Sequence, residues 1–158
     1  MTSIEQDLIH AKNVIDNFDL SFVIERLIKS GWKKEYAHEA VLLYRRFLFL
    51  KKKYGHQFEL PPSEDMDEAW HAHILYTKNY QQFCEKVYGT FLHHHPAHGN
   101  STDVLETQNY MFETQTQWLY HQEFGEYIYA VRPLKLHALI ADIFKKYLNL
   151  FYERRVTA

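Results

Sequence analysis

The chain has 158 residues, a length that suits one folding domain and allows most of its apolar surface to be buried. Its 46% apolar and 24% charged residues are typical of a soluble globular protein. The formal net charge of −2 argues against a nucleic-acid partner, because DNA and RNA binders normally need a basic field. No apolar run approaches the roughly 20 residues of a membrane span, so no membrane partner is expected.

Cysteine content and the first residues of the chain indicate a cytoplasmic location. The single cysteine, Cys84, cannot form an internal disulfide, which is typical of a reducing compartment. The opening stretch MTSIEQDLIHAK carries acidic residues and lacks the apolar core of a signal peptide. We therefore expect a cytoplasmic protein.

Three helices are predicted in the first third of the chain, where apolar residues recur with helical periodicity. Thr2 and Glu5 have the spacing of a capping box and begin a helix that runs to about Asp16. A second helix ends near Gly31, since glycine readily takes the left-handed conformation that follows a helix. A third helix spans about residues 33–54 and is apolar enough to be a central, buried element.

An extended segment is predicted between the third and fourth helices. Gly55 is expected to end the third helix as Gly31 ends the second, and the segment HQFELPPS follows it. Pro61 and Pro62 lack amide hydrogens and disfavour helix in the residue before them, so this segment is extended. Ser63 is the expected N-cap of a fourth helix that begins near Glu64.

Further helices follow in the second half of the chain. Thr77 begins a fifth helix that ends before Gly89, and a histidine-rich loop covers residues 89–100. Ser101 or Asp103 caps the next helix, which runs to about residue 124. The stretch EYIYAV is compatible with a short strand, although one strand alone has no partner. A last amphipathic helix is predicted over Leu134–Tyr152. We expect an all-α, single-domain bundle of about six helices over residues 1–158.

Two histidine-bearing segments carry the strongest chemical signal. Residues 67–75 read DEAWHAHIL and residues 93–99 read HHHPAHG. Because a helix advances about 100° per residue, Asp67 and His71 lie together, one turn apart. His71 and His73 are about 200° apart on a regular helix and cannot both reach one ion.

The leading candidate metal site joins Asp67 and His71 to His93 and His94 from the loop. A carboxylate with imidazoles is the ligand set of many zinc hydrolases and non-haem iron oxygenases, so the pattern predicts a Zn or Fe ion. An open position on such an ion activates water or dioxygen. Imidazoles bind metals only when neutral, so we expect metal affinity to fall below about pH 6. The alternative for Asp67 and His71 is an ordinary i,i+4 surface pair.

His73 is a second-tier metal ligand. It lies on the inward face of the fourth helix, together with Met66, Ala69 and Trp70. One or two hydrogen bonds satisfy a partly buried histidine, so a structural role is favoured over a ligand role.

Cys84 is a weak candidate for a catalytic nucleophile. A reactive thiolate needs some exposure and a cationic or histidine neighbour, which His93 or His94 would supply. The alternative is that Cys84 is a small, buried apolar side chain within the fifth helix, and we favour this structural role.

Three functions remain open at this point. The first is a metal-binding helical protein, with a mononuclear Zn or Fe enzyme as its specific form. The second is a helical interaction module whose histidines are structural and whose C-terminal helix meets a protein partner through Tyr147, Phe151 and Tyr152. The third is a thiol enzyme that uses Cys84 with a loop histidine. The sequence identifies neither the small molecule nor the protein that would be bound.

The stretch PPSEDMDEAWHAHILYTKNYQQFCEKVYGTFLHHHP resembles the signature block of the glycine-rich domain-containing protein-like family. The resemblance covers about residues 58–98 and is closest to the short bacterial form, since the chain has five glycines and no glycine-rich tail. It implies that the candidate residues belong to one motif, without implying a reaction. His95 and His98 fall outside the pattern. The matching positions are Pro61 or Pro62, Asp67, Trp70, His71, His73, Thr77, Tyr80, Cys84, Gly89, His93, His94 and Pro96.

Overall fold

The computed structural model describes residues 2–94 and 102–131. These two stretches are helical and contain no β-strand, so the predicted all-α fold is confirmed. The described helices are α1 (Ser3–Asn17), α2 (Ser21–Lys29), α3 (Lys34–Tyr54), α4 (Glu64–Ile74), α5 (Thr77–Tyr88), α6 (Thr102–Met111) and α7 (Gln117–Phe124). A π-helical turn, Phe112–Thr116, joins α6 to α7 without a break, so the described residues form six helical segments. The predicted helix over Leu134–Tyr152 lies outside the described residues, as do the rest of the histidine-rich loop and Ser101.

α3 is the central helix of the bundle. It packs against α1, α2, α4 and α7. Burying a large apolar side chain contributes about 1.5–3 kcal/mol, so this helix supplies a large share of the stabilising contacts. Its buried residues are Ala37, Ala40, Val41, Leu43, Tyr44, Phe47, Leu48 and Leu50.

No helix within residues 2–94 and 102–131 has both the length and the apolar character needed to cross a membrane.

Local signals in the sequence correctly mark the ends of α1 and α2. The Thr2 side chain accepts a hydrogen bond from the Glu5 amide (3.2 Å), and the Thr2 amide donates to the Glu5 carboxylate (2.7 Å). α2 ends where Gly31 takes a φ of 96°. The Trp32 amide then donates to the Leu27 carbonyl oxygen at 3.1 Å, which closes the helix end.

Gly55 ends α3 differently from the prediction. Its φ of −63° is right-handed, so the left-handed conformation seen at Gly31 is not used here. A Cβ at Gly55 would instead collide with the carbonyl oxygen of Lys51. The requirement for glycine at this position therefore comes from a close approach between backbone atoms.

The EYIYAV stretch, residues 126–131, does not form a strand. Its backbone groups bond to side chains on two helices. The Gln117 side chain accepts from the Ile128 amide at 2.7 Å and donates to the Ile128 carbonyl oxygen at 3.2 Å. The Val131 amide donates to the Asp65 carboxylate at 2.7 Å. This segment is consequently attached to the N-terminal end of α4, close to the candidate site.

Candidate metal centre

The N-terminus of α4 places two candidate ligands at a fixed spacing. The Ser63 side chain accepts a hydrogen bond from the Met66 amide (3.3 Å), which confirms Ser63 as the N-cap. Asp67 therefore lies in the first turn of the helix, and His71 lies one turn later. The Nδ1 atom of His71 is 3.6 Å from Oδ2 of Asp67, so the two side chains face the same space.

His94 reaches this pair from the segment that follows α5. Its Nε2 atom is 2.7 Å from Oδ1 of Asp67, and its ring centroid is 4.6 Å from that of His71. One ligand atom from each of Asp67, His71 and His94 lies within 4.8 Å of the other two. The fold thus brings together three of the four leading candidates.

The distances within this cluster suit shared ligation of one ion. Two ligand atoms that are each about 2.0–2.2 Å from an ion lie about 2.8–3.6 Å apart in tetrahedral or octahedral geometry. The 3.6 Å separation between His71 and Oδ2 of Asp67 lies at the upper end of that range, and the 2.7 Å separation between His94 and Oδ1 of Asp67 lies just below its lower end. A distance of 2.7 Å is also normal for a charge-assisted hydrogen bond, so the His94 segment is held on α4 without an ion.

Exposure differs across the three side chains. His94 is 10% exposed, Asp67 is 33% exposed and His71 is 49% exposed. One side of the cluster is therefore covered by protein, and the other side is open. An ion held by these three groups would keep positions for water or another small molecule, as catalytic sites do.

A buried hydrogen-bond chain holds the segment that carries His94. The Trp70 ring packs edge-on against the His94 ring, with 4.4 Å between centroids. Trp70 donates its indole hydrogen to the Tyr80 hydroxyl oxygen at 2.9 Å. Tyr80 donates in turn to the carbonyl oxygen of Leu92 at 2.6 Å, two residues before His94. Helices α4 and α5 together fix where His94 enters the site.

His93, the fourth leading candidate, is not part of the described ligand cluster. It is exposed, and its ring packs against Phe91 with 4.9 Å between centroids. Successive side chains outside a helix tend to point to opposite sides of the chain, so adjacent histidines rarely reach the same point. His95 and His98 lie outside the described residues.

His73 is completely buried and has a polar partner for each ring nitrogen. Its Nδ1 lies 3.1 Å from the Tyr44 hydroxyl oxygen, and its Nε2 lies 3.0 Å from Oδ1 of Asn79. An amide oxygen only accepts, so Nε2 carries the hydrogen and Nδ1 accepts from Tyr44. Burial lowers the pKa of His73 to about 4. These contacts fit a structural role, and they separate His73 from the Asp67 cluster.

Cys84 is also buried, within α5. Burial raises the pKa of the Cys84 thiol, and its interactions with the Leu92 backbone and the Tyr80 side chain offset only part of that effect. A nucleophilic cysteine needs the opposite shift, together with access to solvent. The surroundings of Cys84 therefore favour the structural role.

A pocket of about 990 Å³ adjoins the ligand cluster. Asp67, Trp70 and His94 form part of its wall. Sequence reasoning missed this pocket, because its walls come from segments that are far apart in the chain. The remaining wall residues are Lys51 of α3, His93, Gln117 of α7, and residues of the segment 55–65, of α6 and the π-helical turn, and of the segment 128–130.

Comparison with known proteins corrects the resemblance described above. A family model described as UCP032817-like matches residues 10–145. No curated protein and no solved structure matches the chain. The resemblance to the glycine-rich domain-containing protein-like family was wrong: it used a motif within about residues 58–98, whereas the matching family model covers residues 10–145. The chain belongs to the UCP032817-like family, an uncharacterised family.

Proposed function

We propose that this protein binds one Zn or Fe ion through Asp67, His71 and His94 and uses it on a small molecule in the adjoining pocket. The reaction is of the hydrolase or oxygenase type. One observation carries the proposal: a carboxylate oxygen and two imidazole nitrogens, from two separate segments, lie within 4.8 Å of one another beside a pocket. Two histidines and one carboxylate form the ligand set of both enzyme classes.

Each ligand residue has a distinct part in this proposal. Asp67 supplies the negative charge that offsets the charge of the ion, and His71 and His94 supply neutral nitrogen donors. When bound, the ion would act as a Lewis acid towards water or dioxygen. Trp70 covers one side of His94 and fixes the plane of its ring, which keeps that donor oriented.

Metal uptake requires a proton to move at His94. A carboxylate oxygen only accepts hydrogen bonds, so the 2.7 Å contact with Asp67 means that Nε2 of His94 carries a hydrogen. That hydrogen must leave before Nε2 can bind an ion, either as a proton or by a change to the Nδ1–H tautomer. Asp67 and His94 would then both be free to act as ligands of the ion.

Metal content is the direct test. Untagged protein would be stripped with a chelator and then titrated with Zn²⁺, and separately with Fe²⁺ without oxygen, with stoichiometry measured by elemental analysis and affinity by calorimetry. We expect one ion per chain for the wild type. Asp67→Ala and His94→Ala each remove one ligand and should weaken binding at least about tenfold.

His93→Ala is the matched control, because it removes the histidine next to His94 that lies outside the described cluster. This variant should keep one ion per chain with unchanged affinity. The proposal fails if the wild type takes up no stoichiometric metal. It also fails if Asp67→Ala and His94→Ala bind metal as well as His93→Ala does.

The other two functions and the cytoplasmic location remain predictions. The expected interaction surface with Tyr147, Phe151 and Tyr152 lies outside the described residues. The burial of Cys84 opposes a nucleophilic role for its thiol. The metal-binding function has the most direct support of the three, because three of its predicted ligand residues come together beside a pocket.

A further inference from the structure

The outer face of α6 and α7 carries large aromatic side chains that are mostly exposed. Tyr110, Thr114 and Trp118 follow one another at a spacing of four residues, about one helical turn, so they form one row along this face. Tyr110 is 69% exposed and Trp118 is 55% exposed. None of the three lines the pocket, so this aromatic row is separate from the pocket wall.

α6 is also the least packed α-helix in residues 2–94 and 102–131. None of its residues 103–111 is buried, and the π-helical turn is the only described element against which it packs extensively. Every other described α-helix buries two residues or more. Because helices in proteins take most of their stability from tertiary packing, α6 points to a packing partner outside the described residues.

The rest of the chain begins close to the aromatic row. The backbone of Ile128 bonds to the side chain of Gln117, which directly precedes Trp118. Val131, the last described residue, donates its amide to the Asp65 carboxylate at 2.7 Å. Residues 132–158 therefore start beside α7 and within reach of the aromatic row.

The sequence of residues 132–158 contains an apolar stripe that needs a surface to bury it. Over residues 134–152, where the sequence predicts a helix, large apolar side chains recur every three or four residues and so share one side. Their polar neighbours lie on the other side. The stripe consists of Leu136, Leu139, Ile140, Ile143, Phe144, Tyr147, Leu148 and Phe151.

The charges of the two surfaces are complementary. Residues 102–124 include no lysine or arginine, and their acidic residues are Asp103, Glu106, Glu113 and Glu123. Residues 132–158 include six basic residues and two acidic ones. Opposite charges around an apolar contact favour the correct partner and orient it.

We propose that the apolar stripe of residues 134–152 docks on the outer face of α6 and α7 of the same chain, with Tyr110 and Trp118 at the centre of the contact. This inference goes beyond the proposed function and does not depend on metal binding. A helix over residues 134–152 is about 28 Å long, so it extends past the ten residues of α6 and reaches α7 as well.

The docked segment supports one wall of the pocket from outside. Gln108 and Met111 of α6 line the pocket, while Tyr110 lies on the outer row. The same contact places Tyr147 and Phe151 against the protein's own helices. These two side chains are then not available to a protein partner, which counts against the interaction module.

A nitroxide at residue 149 tests the contact in the full, metal-free chain. Asn149 lies opposite the apolar stripe on a helix, so Asn149→Cys can carry the label without entering the contact, and the buried Cys84 is not labelled. In the ¹⁵N-labelled protein, we expect the amide signals of Tyr110 and Trp118 to lose their intensity. The amide of Ile9 on α1 should keep its intensity, and Ile9 is the matched comparison because it is also an exposed apolar residue.

Two further samples distinguish this contact from others. A mixture of ¹⁵N-labelled chains without nitroxide and unlabelled chains with nitroxide should show no loss of intensity, because the contact lies within one chain. Ile143→Asp puts a carboxylate into the stripe and should restore the Tyr110 and Trp118 signals. Ala138→Asp adds the same charge on the other side of the predicted helix and should leave the loss unchanged.

Four outcomes would overturn the inference. The first is that the nitroxide leaves the Tyr110 and Trp118 amides unaffected. The second is that the Ile9 amide is affected as strongly as they are. The third is that the mixture of chains shows the same loss, which would indicate a contact between two copies. The fourth is that Ile143→Asp and Ala138→Asp have the same effect.

Discussion

The Tyr80 hydroxyl lies 2.6 Å from the carbonyl oxygen of Leu92 and fixes the chain two residues before His94. The same hydroxyl oxygen accepts from the Trp70 indole at 2.9 Å, and Trp70 packs against the His94 ring. One side chain of α5 thus connects the backbone of the His94 segment to α4. Tyr80 touches no ligand atom of the cluster, so its contribution to the site is to position His94.

Tyr80→Phe should weaken metal binding while the fold is retained. The change removes one hydroxyl group and leaves the ring that fills the core. Leu92 then loses its hydrogen bond, and the segment that carries His94 is less well ordered before an ion arrives. We expect metal affinity to fall about tenfold, which is typical when a group that orients a ligand is removed. Calorimetric titration with Zn²⁺ measures this change.

Tyr88→Phe separates positioning from general destabilisation. Tyr88 also donates its hydroxyl hydrogen to a backbone carbonyl, that of Leu48 on α3, at 2.8 Å. Tyr88→Phe loses one hydrogen bond and should cost about 0.5–1.5 kcal/mol of unfolding free energy, whereas Tyr80→Phe loses two, because the Trp70 indole also loses its acceptor, and should cost roughly twice as much. Only Tyr80→Phe should change zinc affinity. Equal affinities for the two variants would remove the positioning role from Tyr80.

The buried histidine of α4 predicts a pH dependence of stability. Burial lowers the pKa of His73 to about 4 in the folded protein, whereas a histidine in an unfolded chain has a pKa of about 6.5. Below pH 6.5 the unfolded chain therefore binds a proton that folded His73 does not bind. Stability from this group is complete above about pH 6.5 and is lost as the pH falls towards 4. The full loss is about 3 kcal/mol.

Two measurements check this dependence. The free energy of unfolding should fall less steeply between pH 6.5 and pH 4 in His73→Gln than in the wild type, because glutamine does not titrate. The ring signals of His73, followed by NMR in the folded wild type, should not titrate above about pH 5. A His73 ring that titrates near pH 6.5 would show that burial does not suppress its protonation.

The helices were predictable because their signals are local. The Thr2–Glu5 capping box, Ser63 as N-cap and the left-handed Gly31 each act within one turn of chain. Gly55 shows where such a signal is ambiguous, since glycine serves there to avoid a collision with Lys51 and keeps a right-handed φ. The EYIYAV segment does not form a strand, because the side chains of Gln117 and Asp65 form hydrogen bonds with its backbone groups. These contacts come from other parts of the chain, so the local sequence does not reveal them.

The site was predictable only in part. The pairing of Asp67 with His71 follows from the i,i+4 geometry of one helix. The angle of about 200° between His71 and His73 follows from the same helix geometry. The choice of His94 over His93 depends on where Tyr80 holds Leu92, a contact that sequence spacing does not reveal.

Cys84 should be an unreactive thiol in the folded protein. It is buried in α5, and burial raises the pKa of its thiol, so little thiolate exists at neutral pH and reagents have little access to it. We expect iodoacetamide to alkylate the folded protein at pH 7.5 at least about tenfold more slowly than the same chain unfolded in guanidinium. Mass spectrometry of quenched samples measures both rates, and the unfolded chain serves as the control for intrinsic reactivity. The thiol-enzyme alternative requires the reverse result, with Cys84 of the folded protein reacting faster than the unfolded chain. In that case, the residues that bury Cys84 would have to move away from its thiol during function.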